Sequence, residues 1–212
     1  MKLQNAKVLV IGAGGLGCPV LQYLTAMGVG TIGIVDFDVV EASNLHRQVL
    51  YTPQDLAKKK VDVAMEKLSA QNPDVKLVKH DMMLTDLNAK ELISQYDLVV
   101  DGCDNFLTRY TVNDTCVALS KPLVYGSILG DQGQLATFNF HGSKNLRDLF
   151  PEPPNAEDVP NCSENGVLGV VPGIVGTMMA REVVSVLVGS PTLVNQFCLY
   201  DTQQFTLTKL LY

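Results

Sequence analysis

The stretch AKVLVIGAGGLG, residues 6–17, decides how the rest of the chain is read. A short buried strand runs into Gly12-Ala13-Gly14-Gly15-Leu16-Gly17, which fits G-x-G-x-x-G and opens a helix expected over 15–28. Glycines at those positions permit a tight turn and close backbone approach to phosphate, and a helix N-terminus attracts negative charge. A second strand, TIGIVDF (31–37), carries Asp36 near its end, close to the spacing expected of an acid that holds a ribose. On this motif alone NAD is the favoured ligand. The bland alternative is a turn that merely packs helix against strand.

Working outward, VKLVKH, YDLVVD and PLVYGS read as further strands. KKVDVAMEKLSAQN, DLNAKELISQ and NFLTRYTVNDTCVALS have helical spacing between them. Strands separated by helices of this length imply a Rossmann-like, doubly wound α/β fold with a mostly parallel sheet. QGQLATFNF alternates and predicts a later antiparallel strand, and QFCLYDTQQFTLTKLLY a closing hairpin. Residues 141–165 hold four of the ten prolines and little periodicity, and predict a long loop, followed by a helix from about 167 to 188. The expectation is one domain over 1–212. Its nucleotide-binding part covers about 1–128, and the crossover loop, last helix and hairpin about 129–212.

Composition removes several classes. Hydrophobic residues at 47% and charged residues at 18% fit a folded α/β protein and not a disordered one. A formal net charge of −6 argues against general affinity for nucleic acid or anionic membrane. No apolar run of about 18 residues lacks glycine turns or polar breaks, so no membrane-spanning helix is expected. The N-terminal apolar run is too short for a signal peptide, which makes a cytoplasmic location the expectation. Cys18, Cys103, Cys116, Cys162 and Cys198 form no CxxC pair, so neither a disulfide framework nor a zinc knuckle is signalled. Cys18 and Cys103 read as core residues beside the glycine turn. His46, His80 and His141 have no ligand spacing, and Met82-Met83 and Met178-Met179 read as packing residues.

The residues after Asp36 change the choice of ligand. VDFDVVEASNLHRQ (35–48) supplies Asn44, Arg47 and Gln48, and Lys60 follows in a run of three lysines. A hydride-transfer enzyme needs no cation there. Arg is a rigid fork for phosphate and Lys a flexible point charge, so the two together suit a triphosphate. Solvated surface cations are the competing account. VVDGCDN (99–105) ends another strand, where an open parallel sheet faces its ligand crevice. Asp104 there suits a magnesium ion bridging phosphates, Asn105 suits a helix N-cap, and Asp101 reads as structural.

Four stretches together, residues 8–50, 57–68, 98–110 and 159–177, resemble the MoeB/ThiF/HesA family, bacterial relatives of the ubiquitin-activating enzymes. DFD…SNLHRQ combined with DGCDN is far more specific than the glycine motif. The resemblance implies ATP as substrate with magnesium. It also implies adenylation of the C-terminal glycine carboxylate of a ubiquitin-fold, MoaD/ThiS-like sulfur carrier of the molybdopterin or thiamine type, with release of pyrophosphate. By position it implies Gly12, Gly14, Gly15, Gly17, Asp36, Asn44, Arg47, Gln48, Lys60, Asp104 and Asn105 at ATP. Among these, Arg47, Lys60 and Asp104 act in catalysis. A homodimer is also implied.

The chain departs from the family in places. Many members hold zinc with two CxxC pairs; Asn145 and Asp148 stand at the positions of the first, and no second pair is present, so no zinc is expected. Only six residues precede Lys7, where the family carries an arginine-bearing arm, so either that arginine is lacking or the chain begins after it. With no rhodanese-type stretch in 1–212, sulfur is expected to come from elsewhere. Cys162, in PNCSENGVLG, occupies the position of a cysteine that some relatives use in transfer. A loop cysteine packing as a small hydrophobe is the alternative. Two other function classes stay open at this point: a catalytically weak scaffold that docks a ubiquitin-fold protein, and an NAD-dependent oxidoreductase.

Overall fold

The computed structural model describes residues 3–154, 167–190 and 193–212. Its strands are β1 (Lys7–Ile11), β2 (Thr31–Val35), β3 (Lys76–His80), β4 (Leu98–Asp101), β5 (Leu123–Leu129), β6 (Gln132–Phe138), β7 (Gln196–Asp201) and β8 (Thr206–Leu211). The helices are α1 (Gly17–Ala26), α2 (Lys60–Gln71), α3 (Ala89–Ser94), α4 (Phe106–Ala118), α5 (Leu146–Leu149) and α6 (Val170–Val188). All eight strands join one sheet in the order β3-β2-β1-β4-β5-β6-β7-β8. The pairings from β3 to β5 are parallel, and those from β5 to β8 antiparallel. The expected fold is therefore the observed one.

The parallel strands are apolar throughout because both faces are covered. Val8, Val10, Ile32, Ile34, Leu98 and Val100 point to a core built with Val20, Leu21 and Leu24 of α1, Val61 and Leu68 of α2, and Val175, Met179 and Val183 of α6. The alternate residues Leu9, Ile11, Val35, Val99 and Leu123 meet Leu92 and Ile93 of α3, Val112 and Cys116 of α4, and Leu146 of α5. The chain reverses its winding between β1 and β4. Ligand crevices of doubly wound sheets open at the carboxyl ends of such a strand pair.

Helix α6 has the length and mean hydropathy, 1.5, of a membrane-spanning segment. Its apolar side is instead occupied by the fold: Val171, Val175, Met179 and Val183 are at most 1% exposed. It approaches α1 so closely that a Cβ on Gly176 would stand 2.5 Å from Pro19 Cγ. Only glycine allows that spacing.

Some expected boundaries shift for local reasons. The helix expected from about 167 begins at Val170; Gly169 just before it packs against the His46 carbonyl, a place only glycine fits. The loop expected over 141–165 contains α5, started by a reciprocal cap. Asn145 Oδ1 accepts the Arg147 N–H at 2.9 Å, and the Asn145 N–H donates to Asp148 Oδ2 at 2.7 Å. Met82 and Met83, expected to pack, are 37% and 47% exposed. They follow the edge strand β3, where the Met82 N–H returns to the His80 carbonyl at 2.9 Å and turns the chain outward. Met179 does pack, beneath Gly126 of β5.

Candidate functional site

The glycine turn is built from the strand ends. Gly12 has φ +90°, and its N–H donates to the Val35 carbonyl at 2.8 Å, tying the turn to the end of β2. The Gly102 N–H donates to the Ile11 carbonyl at 2.9 Å, and a Cβ on Gly12 would stand 2.7 Å from the Gly102 oxygen. The turn and the β4–α4 loop are thus in contact. A Cβ on Gly17 would overlap the Gly12 carbonyl, which fixes how close α1 starts to β1.

Asp36 closes this turn as well as facing the crevice. Its Oδ2 accepts the Ala13 N–H at 2.8 Å and its Oδ1 the Asp38 N–H at 2.8 Å, with the residue 9% exposed. A carboxylate has about four lone-pair positions, so two acceptor positions remain for a ribose. The Tyr51 hydroxyl donates to the Ala13 carbonyl at 2.8 Å, and burial holds that phenol well above its usual pKa, so it stays a neutral donor. Burial also pushes the Cys18 thiol up to about 12, which leaves it unreactive.

The segment 44–48 lies over Gly14 and Gly15. A Cβ on Gly15 would stand 3.7 Å from Arg47 Cδ and 3.2 Å from Pro172 Cβ, and one on Gly14 3.5 Å from Gln48 Nε2. Arg47 Nη2 donates to Asn44 Oδ1 at 2.7 Å, so the two residues expected to share a ligand already orient each other. Gln48 is 5% exposed and its Oε1 has no partner among the described residues. Leaving a buried acceptor unpaired costs about 1–3 kcal/mol. A donor arriving with a ligand beside the glycine turn would remove that cost.

The three lysines diverge. Lys58 pairs with Asp55 at 3.5 Å and Lys59 with Asp81 at 3.1 Å. Lys60 opens α2 with its side chain 5% exposed and its Nζ 2.9 Å from Asp38 Oδ2. Lys60 is therefore not a solvated surface cation: Asp38 takes one of its three donors, and two remain. The second acid of DFD was the signal for this partner.

At the end of β4, Asp104 and Asn105 are exposed while Asp101 is fully buried. Asn105 Oδ1 accepts the Thr108 N–H at 2.9 Å and caps α4, as expected. Asp101 pairs with Arg109 at 2.9 Å. Sequence reasoning passed over Arg109, although a lone arginine one turn into a helix that follows a buried acid was there to be read. Cys103 is buried, and its thiol is held well above its usual pKa by burial and by Asp101.

The structure thus joins the glycine turn to Asp36, Asn44, Arg47, Gln48 and the 102–105 loop, with Lys60 reaching the same end of the sheet through Asp38. Cys162 lies outside the described residues. His46, His80 and His141 bring no metal site, since no group of three or more His, Cys, Asp and Glu among the described residues could hold an ion.

Residues 1–211 match the family model described as the ThiF family. The chain belongs to the ThiF family. The sulfur carrier protein adenylyltransferase of Thermus thermophilus is 50% identical over 215 residues, covering 99% of this chain and 79% of that protein. A Mycobacterium tuberculosis protein named probable adenylyltransferase/sulfurtransferase MoeZ is 46% identical over 210 residues, covering 97% of this chain and 54% of that protein. This ThiF-family chain therefore spans about half the length of MoeZ. Among solved structures, E. coli MccB with ATP matches with a TM-score of 0.87 at 21% identity, covering 99% of this chain and 64% of that one. A likeness at that identity speaks for the fold alone.

Proposed function

We propose that this chain adenylates the C-terminal glycine carboxylate of a ubiquitin-fold sulfur carrier of the molybdopterin or thiamine type. The observation that carries the reading is Arg47 lying over Gly15, a cation set against a phosphate-type turn whose neighbour Asp36 keeps acceptor positions for a ribose. The family match over residues 1–211 favours a triphosphate over a dinucleotide beside that cation. The name of the Thermus relative supports the same reaction class.

In this reading a carboxylate oxygen of the carrier attacks the α-phosphorus of ATP. The new O–P bond forms as the bond from the α-phosphorus to its bridging oxygen breaks, and pyrophosphate leaves with that electron pair. Arg47 and Lys60 hold phosphate oxygens and offset the charge that builds on them. The exposed carboxylate of Asp104 fits a magnesium ion, which prefers one or two carboxylates plus substrate oxygens and would neutralise charge on the leaving group. A zinc thiolate site does not fit at 145–148, where Asn145 and Asp148 are engaged with each other. The working form is a cytoplasmic homodimer in this reading, and the carrier's tail enters along the strand ends.

The test is ATP–pyrophosphate exchange with magnesium, adding ubiquitin-fold proteins that end in Gly-Gly one at a time. Exchange with one of them is the expected result. ATP binding without exchange for any of them would replace this reading with the scaffold.

A further inference from the structure

Directly behind Asp104 lies a buried polar knot. Asp101 is 0% exposed and Arg109 5%. Arg109 Nε donates to Asp101 Oδ2 at 2.9 Å. The other carboxylate oxygen receives the Cys103 N–H at 3.0 Å and the Cys103 thiol at 2.7 Å. Arg109 Nη2 donates to the carbonyls of Cys103 at 2.9 Å and Gly126 at 3.0 Å, and Nη1 reaches the Tyr125 hydroxyl at 3.3 Å. The guanidinium carbon sits 4.7 Å from the Tyr125 ring centre. Cys103 is therefore gripped at its N–H and its carbonyl, and the next residue is Asp104. On the other side of Asp104, the Asn105 cap fixes the chain to α4.

A buried ion pair adds little net stability compared with apolar groups of the same volume. Its geometric worth is different. A rigid planar fork spreads its donors over three nitrogens and can hold acceptors farther apart than the three donors on a lysine's single nitrogen can reach. The acceptors here belong to β4, to the loop and to β5, so one side chain refers the loop to two strands of the sheet.

We propose that Arg109, with its partner Asp101, is a positioning residue that sets where the Asp104 carboxylate stands by fixing the Cys103 peptide. The consequence for catalysis rests on the adenylation reading; the geometry of the loop does not.

Two measurements on Arg109→Lys in the full chain test this. The first is its crystal structure, in which the Asp104 Cα should move by about 1 Å. The second is exchange with the Gly-Gly carrier that serves the wild type. There kcat should fall roughly 30- to 100-fold, as a misplacement of that size costs, while KM for ATP changes less than about threefold. Combined with Asp104→Ala, the lysine variant should be no slower than Asp104→Ala alone, because both act on one group. An unmoved loop, rates that multiply in the double variant, or an equal loss in KM and kcat would overturn the proposal. Absent wild-type exchange would sink the adenylation reading by itself, and the loop displacement would still decide the positioning. If Arg109→Lys does not fold, Asp101→Asn takes its place. It keeps an oxygen facing Nε and loses the acceptor for the Cys103 N–H, with the same displacement and fall in kcat expected.

Discussion

Lys60 Nζ stands 2.9 Å from Asp38 Oδ2, with the lysine side chain 5% exposed and the aspartate 50% exposed. A buried cation is thus held at the crevice by an acid that is itself half in water. Phosphate oxygens entering the crevice would compete for the same three ammonium donors.

Asp38→Ala should cost about 1–3 kcal/mol, since it leaves a buried charged donor unsatisfied. Saturating ATP should then raise the melting temperature of this variant more than that of the wild type, because phosphate takes the place of the lost carboxylate. Equal ATP shifts in the two proteins would show that Lys60 never meets the nucleotide.

Asp104→Ala should reduce exchange by at least about a hundredfold, the scale of losing charge stabilisation at a transferring group. The melting temperature should stay within about 2 °C, since this exposed side chain is neither the α4 cap, which is Asn105, nor part of the core. Arg47→Ala should weaken ATP use by at least about tenfold through loss of a charged hydrogen bond. Unchanged kinetics in either variant would remove that residue from the site.

Gly12→Ala joins two faults, a φ of +90° and a Cβ 2.7 Å from the Gly102 carbonyl. Together these should cost about 2–4 kcal/mol, from backbone strain and overpacking. Urea melts would show it as a lowered midpoint at unchanged slope. A loss under about 0.5 kcal/mol would mean that the turn relaxes freely.

Acid sensitivity should run partly through Asp55. Its carboxylate accepts from Lys67 Nζ and from Thr52, and these bonds hold it well below the usual carboxylate range. A carboxyl lowered on folding contributes stability above its unfolded value, about 3.9, and that contribution is lost as pH falls from there through the folded value. Asp55→Asn should therefore be less stable than wild type at pH 7, with the gap closing below about pH 4. Melting curves whose separation stays constant from pH 7 to pH 3 would refute this.

Much of the fold was legible because its signals are local. Val8 to Ile11 and Leu98 to Val100 are unbroken apolar runs, which only a sheet covered on both faces requires. The glycine turn followed by Asp36 is legible for the same reason, since spacing along the chain sets both the turn and the acid beside it. Boundaries were less legible: α6 begins at Val170 where about 167 was expected, and α5 lies inside the expected loop.

The sequence alone thus determined the winding of the sheet, the place of the crevice and the residue types around it. Tertiary structure decided their partners. Lys60 is matched to Asp38 across 22 residues, and Arg109 to Gly126 across 17. Periodicity reports which side of an element is buried. Which charge meets which is settled only when separate elements pack, because a buried ion must find its counterion wherever the fold brings one.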